Sequence, residues 1–435
     1  MAVSARVLAT PVCVDLDDTL IRSDVLLESL LLLLKRNPLY LVLAVGWLLR
    51  GGKARLKAEL GSRVALNPAA LLYDKELLAR LKSSRDTGRA LWLCTTDNTP
   101  LAEKVAQHLE CFDRVIPGKA EEVAAGFAQA ELACRRDEQR ATWGQRYRAI
   151  LRAMRPHQWA KNVLVMVPLF AAHRASDLFS LASALAAFAA FCLCASSVYI
   201  LNDMLDLEAD RAHVRKSRRP FASGDLSLAT GLMLAPLLLV AAVLIAATLP
   251  GKFQLVLGSY YLLTVAYSTV LKRFLLVDAV ALAGLYTLRI IAGAGAVSVP
   301  LSFWLLLFSV FLFLSLAFVK RYAELDALRR QQKLQALGRG YRVEDLAVLQ
   351  TFGTAAGYLS VLILALYINS PEIEPLYHRP KVIWTLCVLL LYWISRVWMT
   401  AHRGSMHDDP VVYALKDRVS LGLGLLAALA IAIAI

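Results

Sequence analysis

No CxxC pair and no metal-ligand spacing of cysteine occurs in this chain. Its seven cysteines are Cys13, Cys94, Cys111, Cys134, Cys192, Cys194 and Cys387. Several stand in apolar runs, where a thiol behaves as a small hydrophobe, so a disulfide framework is excluded. Charge is also scarce. Only 19% of the 435 residues are charged, 58% are apolar, and mean hydropathy is +0.54. That balance excludes an ordinary soluble protein and suits a polytopic membrane protein. A cleavable leader is missing: "MAVSARVLATPVCVDLDDT" meets aspartates before any apolar core forms. Convincing inverted repeats are missing too, which weakens a rival reading as a transporter of phosphorylated metabolites.

What the chain does have is a series of apolar runs near the ~20 residues that span a bilayer. They lie near 179–201, 228–249, 253–271, 275–297, 302–320, 350–369, 382–399 and 419–435. A shorter run, "NVLVMVPLFAA" (162–172), makes a nine-helix count. The net charge of +14 is unevenly placed. With residue 160 inside, the inner loops hold eighteen cations, among them Arg211, Arg215, Lys216, Arg218, Arg219, Lys272, Arg273, Arg329, Arg330 and Arg403. The outer loops hold four: Arg174, Lys252, Arg379 and Lys381. This asymmetry predicts inward-facing basic loops, and only nine helices keep them all on one side. Cations gathered in membrane-flanking loops give no reason to expect a nucleic-acid partner.

One stretch breaks the apolar pattern. "SSVYILNDMLDLEADRAHVRKSRRPFASG" (196–224) begins as lipid-compatible sequence and turns within ten residues into a charged one. Asn202, Asp206 and Asp210 recur every fourth residue, which predicts one helix face, with Asp203 beside them. Like charges at that spacing repel unless a cation neutralises them. Mg²⁺ takes oxygen ligands and is commonly held by one or two carboxylates plus substrate phosphates. The following Lys216 and Arg219 suit phosphate oxygens. Ionisable groups at a membrane boundary are costly and usually serve a site.

This segment resembles the first aspartate-rich signature of the UbiA superfamily of intramembrane prenyltransferases, and the resemblance runs from about Arg155 onward. It implies an all-α bundle of nine transmembrane helices and a Mg²⁺-bound diphosphate that leaves during reaction. Aromatic prenyltransferases of the superfamily carry a second acid ladder after the sixth helix. Here that place reads "FVKRYAELDAL", with Lys320, Arg321, Glu324 and Asp326. This stretch, with "RPHQWAKNVLV" (155–165), "YSTVLKRFLLVDAVALAGLYTLRIIAGA" (267–294) and "DDPVVYALKDR" (408–418), resembles the decaprenyl-phosphate phosphoribosyltransferase branch. That branch moves phosphoribose from phosphoribosyl diphosphate to a polyprenyl phosphate. The alternative partners are a polyprenyl diphosphate and an aromatic acceptor.

The resemblance nominates Asp206, Asp210, Lys320 and Glu324 as catalytic. It nominates Asn202, Asp203, Asp206 and Asp210 for metal. Substrate and diphosphate contacts fall on Lys161, Asn162, Asn202, His213, Lys216, Arg219, Tyr267, Lys272, Asp278, Arg289 and Arg321. Lys161 also reads as a plain interfacial anchor. Lys272 and Asp278, six apart, cannot pair along one helix face. Arg289 lies inside a long apolar run and calls for a buried ion pair. Arg396 and Asp417 rank below the ladder.

Residues 1–135 are of another kind. Short apolar strands at Val12–Val14, Ala90–Cys94 and "FDRVIPG" alternate with helical sequence, which predicts an α/β domain. Lys35–Arg36–Asn37–Pro38 cuts the apolar stretch 25–52 into two runs too short to span, so two packed helices or an interfacial hairpin are expected. "VDLDDT", with Asp15, Asp17 and Thr19 after a strand, resembles the first motif of haloacid-dehalogenase-like (HAD-like) phosphotransferases. Thr95 and Lys119 match the second and third motifs. After Lys119 no apolar strand ending in acids is legible, so a truncated domain with little or no phosphatase activity is expected. The organisation predicted is a HAD-like domain (1–135), a helical linker (136–154) and a UbiA-like membrane domain (155–435), in an inner membrane with the N-terminal domain cytoplasmic.

Overall fold

A computed structural model describes residues 11–96, 99–126, 131–133, 142–332, 339–371, 377–406 and 409–434. The chain divides into two compact units. The first is Met1–Met154 together with Tyr199–Pro236; the second is Arg155–Val198 together with Leu237–Ile435. The segment bearing the acid ladder therefore belongs to the same unit as the N-terminal domain.

The N-terminal part runs β1 (Val12–Asp15), α1 (Val25–Arg36), α2 (Tyr40–Arg63), α3 (Lys75–Asp86), β2 (Leu91–Thr95), α4 (Thr99–Leu109), β3 (Arg114–Pro117), α5 (Ala120–Gly126), β4 (Glu131–Leu132) and α6 (Trp143–Met154). The strands form one parallel sheet in the order β3-β2-β1-β4. Val12, Val14, Leu91 and Leu93 are buried between helices, as expected of parallel strands covered on both faces. The fourth strand corrects the sequence reading. It is two residues long, pairing Val12 with Glu131 and Cys13 with Leu132, too short to leave an apolar pattern. The acids that follow it, at 137 and 138, lie outside the described residues, as does Asp97.

Helices α1 and α2 pack on each other through Leu33, Ala44, Leu56 and Leu60. Asn37 and Pro38 end the first, as Pro requires. The second is longer than expected and kinks at Gly52, whose φ of +65° only glycine adopts cheaply. Its first half leaves Leu41, Val42 and Leu49 exposed, and Leu39 just before it is exposed too.

After a 3₁₀ segment (Pro156–Met166) come α7 (Val167–Ala171), α8 (Leu178–Leu205), α9 (Leu207–Arg211), α10 (Pro220–Ser223), α11 (Leu228–Ala247), α12 (Gly251–Thr269), α13 (Val277–Ala296), α14 (Phe303–Arg330), α15 (Leu346–Ile368), α16 (Trp384–His402), α17 (Pro410–Lys416) and α18 (Arg418–Ala434). Among the described residues, six helices are singly long and apolar enough to cross a membrane: α8, α11, α13, α14, and α15 and α16 with their leading turns. The pair α17–α18, bent by 79°, makes a seventh if counted as one span. The run at 162–172 is a 3₁₀ segment and one short helix. The run at 253–271 is a 19-residue helix made less apolar by Gln254, Ser259, Tyr260, Tyr261 and Thr264.

In the second unit α13 is the most enclosed span. A Cβ on Gly293 would stand 2.0 Å from the Val165 carbonyl oxygen, so the glycine lets α13 lie directly against the 3₁₀ segment. That contact brings the side chains of 161 and 162 to the polar side of α13. The six described cysteines are buried thiols. Burial pushes the Cys94 thiol up to about 12, which keeps it protonated and inert.

Candidate functional sites

The acid ladder sits at a break. Helix α8 ends at Leu205, Asp206 leaves helical geometry (φ −103°, ψ 17°), and α9 resumes at Leu207. Backbone bonds still run in helical register, Asp206 N–H to Asn202 O at 2.9 Å and Asp210 N–H to Asp206 O at 2.8 Å. The side chains do not line one face as the spacing predicted. Asp203 and Asp210, both buried, share the Arg219 guanidinium at 3.1 and 2.6 Å. Asp206 turns elsewhere, and its Oδ1 accepts from Lys35 Nζ of α1 at 2.7 Å. The break at 206 redirects that one carboxylate.

Among the described residues no three His, Cys, Asp or Glu side chains gather as a ready metal cage. The donor chemistry nonetheless fits a hard cation. Asn202, Asp203, Asp206 and Asp210 offer oxygen donors alone, on nine consecutive residues, with no thiol or imidazole among them. His213 closes a local turn, its Nδ1 accepting from Arg215 N–H at 3.2 Å and Lys216 N–H at 3.4 Å, and Lys216 is exposed.

A second constellation lies in the other unit. Asp409 caps α17, accepting from Val411 N–H at 3.2 Å, with Pro410 at the first helical position, where its missing N–H costs nothing. From that cap the carboxylate takes Lys161 Nζ at 2.8 Å, Lys320 Nζ at 3.1 Å and the Tyr286 hydroxyl at 3.0 Å. Burial pushes the Asp409 carboxyl up, but the two ammonium groups outweigh it and hold the group well below the usual carboxylate range. Burial pulls the Lys161 ammonium down to about 8, with Asp409 opposing.

Beside it, Arg289 donates to Asn162 Oδ1 at 2.9 Å, the Tyr260 hydroxyl at 2.9 Å and the Leu285 carbonyl at 2.5 Å, and stacks over the Tyr260 and Tyr286 rings. These neutral oxygens and ring faces surround the Arg289 guanidinium. The third group centres on Asp278. It pairs with Arg321 and accepts from the Tyr267 hydroxyl at 2.8 Å and Arg339 at 3.4 Å. Arg321 also holds Glu324 at 2.5 Å. Lys272 precedes this group in the turn Leu271–Arg273.

The structure thus collects Lys161, Asn162, Tyr267, Asp278, Arg289, Lys320, Arg321 and Glu324 in one unit, and Asn202, Asp203, Asp206, Asp210 and Arg219 in the other. Sequence reasoning missed Asp409, Tyr260, Tyr286 and Arg339. Asp409 had a signal: Asp-Pro before an apolar helical run is an N-cap signature. Arg396 pairs with Asp417 at 2.6 Å and donates to the Tyr413 hydroxyl at 3.0 Å.

In the α/β domain Asp15 ends β1 and accepts from Asp17 N–H at 2.9 Å. Asp17 pairs with Lys57 of α2 at 3.2 Å. Thr19 lies in the turn Leu16–Leu20, Thr95 ends β2 in a buried position, and Lys119 is exposed ahead of α5.

Buried carboxylates and cations on helices long and apolar enough to cross a membrane mark an integral membrane protein with a polar interior. Similarity to known proteins places it more closely. Residues 163–416 match the UbiA prenyltransferase family, and the chain belongs to that family. It is a transferase. An uncharacterised protein (y4nM) of Sinorhizobium fredii is 32% identical over 98% of this chain and 91% of its own length, so the likeness takes in the α/β domain. Nodulation protein NoeC of Azorhizobium caulinodans is 38% identical over 62% of this chain and 87% of its own. Decaprenyl-phosphate phosphoribosyltransferase of Mycolicibacterium smegmatis is 32% identical over 62% and 87%. A solved UbiA homolog from Archaeoglobus fulgidus, bound to DMAPP and Mg²⁺, covers 65% of this chain and 96% of its own at TM-score 0.50 and 16% identity, a likeness of fold.

Proposed function

We propose that the protein transfers phosphoribose from phosphoribosyl diphosphate to a polyprenyl phosphate, releasing diphosphate. The observation that carries this reading is the basic centre around Asp409 and Asp278. Lys161 and Lys320 face Asp409, Arg321 and Arg339 face Asp278 and Glu324, and Arg289 lies beside Asn162, so the named cations outnumber the named carboxylates. An excess of fixed positive charge suits two anionic substrates better than one neutral ring. The relatives named as decaprenyl-phosphate phosphoribosyltransferases support the same choice.

The chemistry makes small demands on the protein. The bond from the sugar's anomeric carbon to the diphosphate oxygen breaks, and the electron pair leaves with diphosphate. A lipid phosphate oxygen, already anionic, forms the new bond, so no base has to remove a proton. Asn202, Asp203, Asp206 and Asp210 would hold Mg²⁺, which supplies charge neutralisation at the departing diphosphate. Arg219 offsets the charges of Asp203 and Asp210, which both accept from its guanidinium. Lys161, Lys320 and Arg321 bind phosphate oxygens, and the Asp409 and Asp278 carboxylates orient them. In this reading the protein sits in an inner membrane with its basic loops and α/β domain on the cytoplasmic side.

The test is incubation of the purified full chain with Mg²⁺ and either phosphoribosyl diphosphate plus polyprenyl phosphate or polyprenyl diphosphate plus aromatic acids. Mass spectrometry of the lipid is expected to show the phosphoribosylated product. A prenylated aromatic compound instead would overturn the reading in favour of aromatic prenylation.

A further inference from the structure

The N-terminal α/β domain touches the acid ladder at three points of one seam. Lys35, in the last turn of α1, donates to Asp206 at 2.7 Å. Asn67 donates to Glu208 at 3.1 Å. Arg211, next in sequence to Asp210, forks onto Glu28 of α1 at 2.6 and 3.2 Å and gives a further bond to the Ala70 carbonyl at 2.9 Å. Glu28 and Arg211 are almost wholly buried, their side chains 6% and 9% exposed. A fork–fork pair of that kind fixes direction as well as distance. Leu31 and Leu207, both buried, line a small cavity at this seam.

The three contacts have different characters. Glu28–Arg211 is enclosed and rigid. Lys35 and Asp206 are about one-third exposed, at 37% and 32%, so this ammonium stands at the open end of the seam. An ammonium carries three N–H donors, and Asp206 takes one. Of the three ladder aspartates, Asp203 and Asp210 are held by Arg219 from their own segment, whereas Asp206 takes a cation from the α/β domain.

We propose that Lys35 is a diphosphate-binding residue lent to the transferase by its N-terminal domain, and that the Glu28–Arg211 pair is the clamp that holds it there. The inference rests on the diphosphate-releasing reading above, but on the leaving group alone, which both candidate reactions share. A diphosphate brought beside Asp206 meets the two remaining donors of Lys35. Glu28 does not touch the ligand. It positions Lys35, because both belong to one helix and lie seven residues, about two turns, apart.

The test is binding of inorganic diphosphate, with Mg²⁺ present, to the purified full chain, alongside thermal stability of the same samples. Lys35→Ala is expected to weaken diphosphate binding about tenfold, the size of one charge-assisted hydrogen bond. Lys35→Arg is expected to retain most of it. Glu28→Gln is expected to weaken binding by a similar factor, and the double variant Glu28→Gln with Lys35→Ala no further than Lys35→Ala alone. Equal diphosphate affinity in wild type and Lys35→Ala would overturn the proposal, as would failure of the wild type to bind diphosphate. A Glu28→Gln variant that is less stable yet binds diphosphate normally would overturn the clamp. Failure to form a phosphoribosylated lipid with diphosphate binding intact would instead count against the reaction assigned above and leave Lys35 in place.

Discussion

At the scale of residues, charges inside apolar helices were the most legible feature. A lone Arg289 or Lys320 in a lipid-facing run would be expensive, so the sequence by itself calls for a partner to each. The partners were harder to read, because pairing depends on which backbone approaches which. No spacing links Asp278 to Arg321, forty-three residues away, or to Arg339, yet it meets both. Asp206→Ala is expected to reduce turnover to background while the protein stays folded and inserted; a near-normal rate at saturating Mg²⁺ would exclude Asp206 from metal binding. Lys161 gives a pH prediction. Its ammonium is held down to about 8, so phosphate binding is expected below that pH and lost above it. Lys161→Arg is expected to remove this alkaline limb from the pH–rate profile. Stability runs the other way. An unfolded lysine keeps its proton to about 10.4, so between the two values the unfolded chain binds more protons and rising pH favours the fold.

At the scale of elements, the periods of strands and helices were visible and their interruptions were not. The ladder's four-residue spacing holds in the backbone bonds, yet Asp206 falls where α8 gives way to α9, and its carboxylate leaves the face that spacing assigned. β4 escaped because two residues carry no alternation. The cap on α17 is the element-scale feature with the largest expected effect. Asp409→Ala removes the carboxylate shared by two ammonium groups, of which Lys161 is mostly buried and Lys320 about a third exposed. Breaking a buried pair costs about 3 kcal/mol or more, and the exposure of Lys320 moderates it. A clear drop in thermal stability in detergent is expected, measured by loss of monodisperse protein on heating. Asp409→Asn, which keeps the cap oxygen, is expected to lose less.

At the scale of the whole molecule, the family and its membrane character were legible from the ladder and the apolar runs, and the belonging of the ladder segment to the N-terminal unit was not. Contact between sequence positions 28 and 211 leaves no periodic trace. The placement of cations predicts that Ser217 and Ser405, changed to cysteine on a background without native thiols, resist an impermeant reagent added outside intact cells. Labelling there would reverse the orientation. For the α/β domain, Asp15→Asn is expected to leave lipid-product formation unchanged. Asp17 is engaged with Lys57, and the acids beyond β4 that would complete a phosphatase site were not legible as a motif. Phosphatase activity of the full chain that disappears with Asp15→Asn would show that such a site is complete.

The shared carboxylate at Asp409 also sets an order on how the protein is made. Lys161 stands before the first of the six continuous apolar helices and Asp409 after the last. A ribosome therefore delivers both ammonium groups long before their counter-ion. Until residue 409 emerges, Lys161 and Lys320 lack the carboxylate that joins them. The Lys161–Asp409–Lys320 centre can close only in a chain that has nearly all its membrane helices, so a product truncated before residue 409 is expected to be less stable than the full chain.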